Sequence, residues 1–309
     1  MIIMIEAHNV TSLEGNSLER AIRDDFGFEI TNAKKIIKGF SNQVYEGNMK
    51  DKTVFIRTNK DKNVFEVEQV GYRIFEKQGI PVPKIIAYQE NPKTIGFPTM
   101  IMSSAEGKVL SESDISLEQK DIVYENLGKL LKKIHETKIK DFGPMKVHNQ
   151  ELIGKFSTWK ERCLSAEKKN EIAIDFSITN KYINNEEARK IQEIYKEISE
   201  LDFGKASLLH SDLHHGHFFI TGTEITGIID LGALEAGDPR SDIAMSMIFQ
   251  NSREQEHFKK GYGELANDPI VNKYIVKIVI RKILGRSHRD IKGDVESAIS
   301  ILKNTLQKI

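Results

Sequence analysis

The stretch Leu208–Ile220, LLHSDLHHGHFFI, sets four histidines and one aspartate within eight residues, and it runs on into TGTEITGIIDLGALEAGDP, Thr221–Pro239. HFFI and ITGIID are strand-like and flank TGTE, so the two halves read as a β-hairpin. A turn centred near residues 223 and 224 leaves His217 and Asp230 equidistant from it, hence opposite each other in an antiparallel pair. Asp212 stands five positions before His217 on the approach loop, close enough to face the same cavity. Two carboxylates and an imidazole converging at a hairpin end fit phosphoryl transfer, in which one aspartate holds Mg2+ against nucleotide phosphates and another accepts the proton of an incoming hydroxyl.

Rival chemistries for the same residues are weaker. His214 and His215 read as loop or packing histidines, because no cysteine or acidic partner stands at zinc spacing. Ser211 beside His210 lacks the G-x-S-x-G elbow of a nucleophilic serine. The single cysteine, Cys163, excludes an intramolecular disulfide.

Upstream, residues 30 to 105 read as strands around one helix. ITNAKKIIKGFSNQVYEG and KTVFIRTN are β-rich runs with Gly-containing breaks. VFEVEQVGYRIFEKQG carries apolar residues at helical spacing and closes on Gly79. IPVPKIIAY and FPTMIM add two strand candidates, the first with prolines suited to an edge. After SSAEGKVL the pattern turns helical. Ser116 with Gln119 forms a capping box for a helix whose Ile122, Val123, Leu127, Leu130, Leu131 and Ile134 make one face. His135, on the same side, reads as a satisfied core residue. Further helical regions are expected over roughly 150–200 and most of 241–307. An α+β protein follows, with a small β-rich lobe containing one main helix at 1–104, a hinge near Met102–Gly107, and a larger, mostly helical lobe at 105–309.

Composition sets the boundaries. A chain of 309 residues is long for one core. With 45 basic and 45 acidic side chains and 39% hydrophobic residues, it has no global field that would make nucleic acid a main partner. The apolar start MIIMIEAHNV is cut by Glu6 and His8, too short for a signal or membrane segment, so a cytoplasmic protein is expected.

Taken in order, these segments resemble the aminoglycoside phosphotransferase family of the protein-kinase-like fold. The residues H210-S-D212-L-H-H-G-H217 followed by Asp230 resemble its catalytic loop and metal segment. GFSNQVYEG resembles its nucleotide-covering loop, FPTMIMSSAEGKVL its hinge and LGKLLKKIHE its first C-lobe helix. The resemblance, over roughly residues 30–250, implies a two-lobe kinase-like fold that transfers the γ-phosphate of ATP or GTP to a hydroxyl. It implies Asp212 as catalytic base, His210 as brace of the loop, and Asp230 as main Mg2+ ligand. Asp238 and Asp242 are implied to be structural acids. Nucleotide contacts are implied for Ser41, Asn42 and Arg57, with Glu68 as the helix partner of Arg57 and Glu66 as its alternative. Met100 and Met102 are placed near the adenine, although core packing explains them equally well.

Two positions depart from the common pattern. His217 stands where most members carry asparagine, and a hard cation prefers oxygen to imidazole. Members resembling macrolide phosphotransferases, and some aminoglycoside enzymes, also have histidine there. Arg57 occupies the place of the phosphate-gripping lysine, with Lys52 and Lys60 at the strand ends; arginine can grip phosphates bidentately.

The acceptor signal is thinner. An aminoglycoside-type antibiotic is the expected acceptor, with Glu186, Glu187, Glu193, Glu197, Glu200, Asp202 and Glu235 as acids for a polycation. A macrolide would need apolar walls, for which Phe156, Trp159, Phe249 and Tyr262 are available. A metabolite kinase and a nucleotide-binding pseudokinase are the remaining alternatives. The basic tract KYIVKIVIRKILGRSHRDIK would disfavour a polycation if it lined the pocket.

Overall fold

The computed structural model describes residues 15–36, 43–287 and 292–309. Ser41 and Asn42, expected at the nucleotide, lie outside these. The chain divides into two compact units: up to Phe65 together with Pro83–Ser104, and Glu66–Val82 together with Ala105–Ile309.

The first unit is a sheet backed by a helix. Helix α1 (Asn16–Phe26) buries Leu18, Ala21 and Ile22 and ends on Gly27 in the left-handed conformation. Strands β1 (Thr31–Ile36), β2 (Gln43–Met49), β3 (Lys52–Thr58), β4 (Ile85–Gln89) and β5 (Thr99–Ser103) pair in the order β1-β2-β3-β5-β4. Alternation decides the faces: Tyr45, Val54, Ile56 and Ile101 join the α1 residues in one core. Helix α2 (Lys62–Lys77) begins in this unit, but its residues from Glu66 onward belong with the second.

In the second unit β6 (Lys108–Val109) precedes α3 (Leu117–His135). The capping box is present: Gln119 N–H donates to Ser116 Oγ at 3.2 Å, and Ser116 N–H donates to Gln119 Oε1 at 2.9 Å. The buried face differs in two members from expectation, Ile122 and the half-buried Leu130. Val123, Tyr124, Leu127, Gly128, Leu131, Ile134 and His135 are buried, whereas Ile122 is 49% exposed. Spacings of three and four from Val123 and Tyr124 define the stripe, and Ile122 falls beside it.

The region expected to be helical from 150 begins instead as a hairpin. Strands β7 (Lys138–Ile139), β8 (Phe142–His148) and β9 (Glu151–Phe156) join β10 (Ala206–Leu209) and β13 (Glu235–Gly237) in a sheet of order β7-β10-β13-β8-β9. The β8–β9 turn is Asn149–Gln150, both at positive φ of 50° and 64°, as a tight twisted hairpin turn demands. Helices α4 (Trp159–Leu164), α5 (Glu167–Thr179) and α6 (Asn185–Ser199) follow. The hairpin of β11 (Phe218–Thr221) and β12 (Glu224–Ile228) comes next, with β6 pairing on β11. Helices α7 (Pro239–Met247), α8 (Ser252–Tyr262), α9 (Ile270–Ser287) and α10 (Lys292–Leu306) complete the chain.

The α3–α8 crossing needs glycine. A Cβ on Gly261 would meet the Glu125 carbonyl, and one on Gly128 the Phe258 carbonyl, so the two backbones touch where these residues lack side chains. Arg253–Asp121 and Lys260–Glu125 ion pairs flank the contact. Among the described residues, no helix is long and apolar enough to cross a membrane.

Candidate active site

The loop between β10 and β11 is held from beneath by one buried carboxylate. Asp242, in the first turns of α7, accepts the backbone N–H of His210 at 2.7 Å and of Ser211 at 2.8 Å, and His135 Nε2 lies 3.1 Å from it. The other nitrogen of His135 lies 2.7 Å from the Tyr262 hydroxyl, so this histidine is the satisfied core residue its helix face suggested. Burial alone would raise the Asp242 pKa, but the hydrogen bond with His135, the nearness of both imidazoles and the His210 N–H together lower it. Ser211 sits in the left-handed region, φ 67°, and the Asp242 bonds hold it there.

His210 is fully buried. Its Nε2 donates to the Ile229 carbonyl at 3.2 Å and its Nδ1 faces the Asp212 N–H at 3.4 Å, so the ring joins the loop to the end of β12. Burial lowers its pKa, in keeping with a neutral ring that donates on one side and accepts on the other. Both nitrogens are occupied by backbone, which makes His210 a positioning residue.

Asp238, the other acid expected to be structural, caps α7 ahead of Pro239 and is buried. It accepts from Arg240 N–H at 3.0 Å, from the Arg240 guanidinium, and from the Tyr274 hydroxyl at 2.9 Å.

The hairpin register corrects the expected facing. Phe218 pairs with Ile228 and Thr221 with Glu224, with a bulge between, and the turn is Gly222–Thr223. His217 therefore stands opposite Ile229, whose N–H donates to its carbonyl at 3.0 Å. Asp230 lies one residue past the ladder in a left-handed conformation, φ 65°. A bulge shifts every pairing beyond it by one residue, and the turn at Asp230 brings its carboxylate back.

The three side chains still converge. His217 Nδ1 is 3.8 Å from Asp212 Oδ2, and His217 Nε2 is 3.7 Å from Asp230 Oδ2. The His217 Nδ1–H donates to the Asp212 backbone carbonyl at 2.7 Å, which fixes the tautomer and leaves the Nε2 lone pair directed toward Asp230. Adjacent ligands of one octahedral Mg2+ stand about 3 Å apart, given bonds of about 2.1 Å. A sub-ångström adjustment would thus place Asp230 and His217 Nε2 on one cation. Donor atoms of Asp212, His214 and His217 also lie within 4.8 Å of one another. His214 Nδ1, however, accepts the Gly216 N–H at 3.0 Å, which puts the proton of the neutral ring on Nε2 and leaves no lone pair for a metal. Its pKa is pushed down to about 3 by burial, then by the neighbouring His217 and His215. Burial also raises the Asp212 pKa, with the neighbouring His217, Lys282 and His210 acting in the opposite direction; a carboxylate so shifted is a stronger base than a solvated one.

His214 forms a wall. Its ring centroid lies 3.7 Å from that of His217 on one side and 5.1 Å from that of Phe249 on the other. Behind it is a cavity of about 610 Å³ lined by residues of the loop, the end of α7, α9 and α10. Of the expected apolar walls only Phe249 reaches it. Tyr262 is buried against His135, and Trp159 donates to the Ile198 carbonyl while packing on Phe142 and Phe203. The acids expected for a polycation are elsewhere: Glu187 pairs with Lys303, Glu197 with Lys273 and Glu235 with Arg162. Glu186, Glu193, Glu200 and Asp202 are exposed.

In the first unit Arg57 is buried on β3, opposite Met100 of β5. Its Nη1 is 3.9 Å from Met102 Sδ and its guanidinium carbon 5.7 Å from the Phe65 ring centroid. Met100 and Met102 are themselves buried, and Lys52 and Lys60 are exposed. In the second unit, Glu68 is the fully buried glutamate of α2 and Glu66 is half-buried. The sequence reading overlooked Lys282 and Arg286 as individual residues. The signal lay in the basic tract containing both, but nothing local placed that tract at the loop.

Comparison with known proteins gives the fold and the family. No curated protein matches the chain. Among solved structures, a thermostable mutant of the aminoglycoside phosphotransferase APH(4)-Ia, in ternary complex with AMP-PNP and hygromycin B, is similar at a TM-score of 0.73 and 16% identity, over 94% of this chain and 98% of that one. Spectinomycin phosphotransferase APH(9)-Ia, in complex with ADP and spectinomycin, is similar at 0.62 and 18%, over 93% of each chain. The GDP complex of a mutant aminoglycoside 2'-phosphotransferase-IIIa is similar at 0.66 and 14%, over 94% of this chain and 96% of that one. At these identities the likeness establishes the kinase-like fold. The model of the phosphotransferase enzyme family APH matches residues 32–270, from β1 through the loop and hairpin to the start of α9, and the chain therefore belongs to that family.

Proposed function

We propose that this phosphotransferase carries the γ-phosphate of ATP or GTP to a hydroxyl of a small molecule, with Asp212 as the base and Asp230 with His217 as the holders of Mg2+. The observation that carries the proposal is the placing of His217 between two carboxylates, 3.8 Å from one and 3.7 Å from the other. The acceptor oxygen bonds to the γ-phosphorus, the bond from phosphorus to the β,γ-bridging oxygen breaks, and the nucleoside diphosphate leaves. The hydroxyl proton passes to the Asp212 carboxylate. His210, Ser211 and Asp242 hold that carboxylate in line, so that little reorganisation accompanies the reaction. Mg2+, when bound, supplies neutralisation of charge on the phosphates.

A nucleotide donor is supported by the AMP-PNP, ADP and GDP complexes of the similar structures. Arg57, with Ser41, Asn42, Glu68, Met100 and Met102, is proposed on the donor side, and a cytoplasmic setting, where nucleoside triphosphate is available, belongs to the same reading. The hygromycin B and spectinomycin complexes favour an antibiotic acceptor, and with it a role in resistance. The carboxylates counted for a polycation are instead paired with lysines and arginine or exposed, so the proposal stops at a hydroxyl-bearing small molecule. The test is transfer of labelled γ-phosphate from ATP and GTP, together with intrinsic nucleotide hydrolysis, in the wild type, Asp212→Asn and Asp230→Asn. Loss of about 10²-fold or more in each variant is expected; near-normal turnover in a folded variant would sink the assignment.

A further inference from the structure

The cavity behind His214 has the charge of an anion site. Its volume of about 610 Å³ suits a drug-sized molecule. Its lining includes His214 and His215, two and three residues after the proposed base, so a molecule seated in it lies against the loop that carries Asp212. One wall is apolar, with Phe249, Val279 and Ile301. The charged lining comes from Lys282 and Arg286 of α9, and Asp294 of α10 is the single carboxylate among the described lining residues. The Lys282 ammonium stands 4.8 Å from the Phe249 ring centroid, and its positive charge reaches Asp212. Arg286 donates to a backbone carbonyl, that of Asp294, at 2.9 Å; this neutral partner leaves the guanidinium charge intact. A polycation in this cavity would meet like charge at the wall nearest the base.

We propose that the acceptor is an amphipathic hydroxyl compound bearing one acidic group, a carboxylate, sulfonate or phosphate. Its anion sits on Lys282 and Arg286, its apolar body lies on Phe249 and Ile301, and its hydroxyl reaches Asp212. This inference rests on the phosphotransfer reading of the same site. Arginine is the residue suited to the role, because its planar fork meets an oxyanion bidentately.

The test separates charge recognition from chemistry. Binding of 8-anilinonaphthalene-1-sulfonate is compared by fluorescence with that of N-phenyl-1-naphthylamine, which has the same skeleton without the sulfonate. The wild type should prefer the anion. Arg286→Ala should lose about 10-fold or more of the anionic probe's affinity, the scale of a charge-assisted hydrogen bond, and little of the neutral probe's. Arg286→Lys, which keeps the charge without the fork, should recover part of the preference, which guards against a folding defect in the alanine variant. In parallel, hygromycin B should be a poor acceptor for the wild type, while aromatic hydroxy acids should outperform their matching amides in labelled phosphate transfer. Equal affinity for the two probes in the wild type, an anion affinity indifferent to Arg286, or efficient phosphorylation of hygromycin B would overturn the inference. Nucleotide hydrolysis by the wild type, lost in Asp212→Asn, is measured separately. Its absence would strike the phosphotransfer reading and leave the charge preference standing.

Discussion

Replacing Asp242 by asparagine tests whether one buried carboxylate holds the loop that carries Asp212. The carboxylate accepts the His210 and Ser211 N–H groups on different oxygens and contacts His135, all within 3.1 Å. Asparagine has one acceptor oxygen, so at least one donor must then face an NH2 group. A hydrogen bond to a charged group contributes about 1.5–3 kcal/mol, and the variant withdraws the carboxylate charge from all three partners at once. The expected loss is therefore about 3–5 kcal/mol, read as a lowered urea midpoint with an unchanged slope. Because the loop carrying Asp212 would relax, kcat should fall by about 10²-fold, the scale of an ångström-sized misplacement, with nucleotide KM little altered. The pH dependence has a definite sign. The folded-state pKa of Asp242 lies below its ordinary value of 3.8, so its contribution is complete above that value and is lost as pH falls through the folded pKa. The stability gap between wild type and variant should narrow below about pH 3.8. A variant within about 1 kcal/mol of wild type at pH 7, with normal kcat, would refute this account of the loop.

Other consequences are independent of that one. Ser211→Gly relieves a left-handed non-glycine residue, φ 67°, and is expected to be neutral or to stabilise by up to about 1 kcal/mol in urea unfolding; a clear destabilisation would mean that the serine side chain matters more than its backbone. Gly261→Ala sets a methyl against the Glu125 carbonyl, and urea unfolding should register a loss of about 1–3 kcal/mol or more. His217→Asn exchanges an imidazole for an amide oxygen, so metal titrations of activity should shift toward Mg2+ and away from softer cations such as Mn2+ or Zn2+. An unchanged metal preference would place His217 outside the coordination sphere.

The sequence by itself determined what depends on neighbours along the chain. Ser116 and Gln119 specify the start of α3 because both bonds of the box close within one turn. The alternation of β3 exposes which residues face the core, and the order of loop, hairpin and acidic tail around Asp212 and Asp230 is legible as a chemical unit. The tertiary structure decided what depends on partners distant in sequence. Nothing near β8 and β9 announces that they join a sheet through β13, since periodicity says that a face is buried but not against what. The His217–Asp230 facing was expected from symmetry about a turn at residues 223 and 224; the turn lies one residue earlier, at Gly222–Thr223, which alone would set His217 opposite Ile228, and the bulge returns the pairing by one residue, to Ile229. Asp242 reaches His210 across 32 residues, and Lys282 and Arg286 come to the loop only because α9 and α10 pack beside the end of α7. Side-chain charge is written in the chain, whereas the sign of the field at the base is a sum over distances that only the folded packing sets.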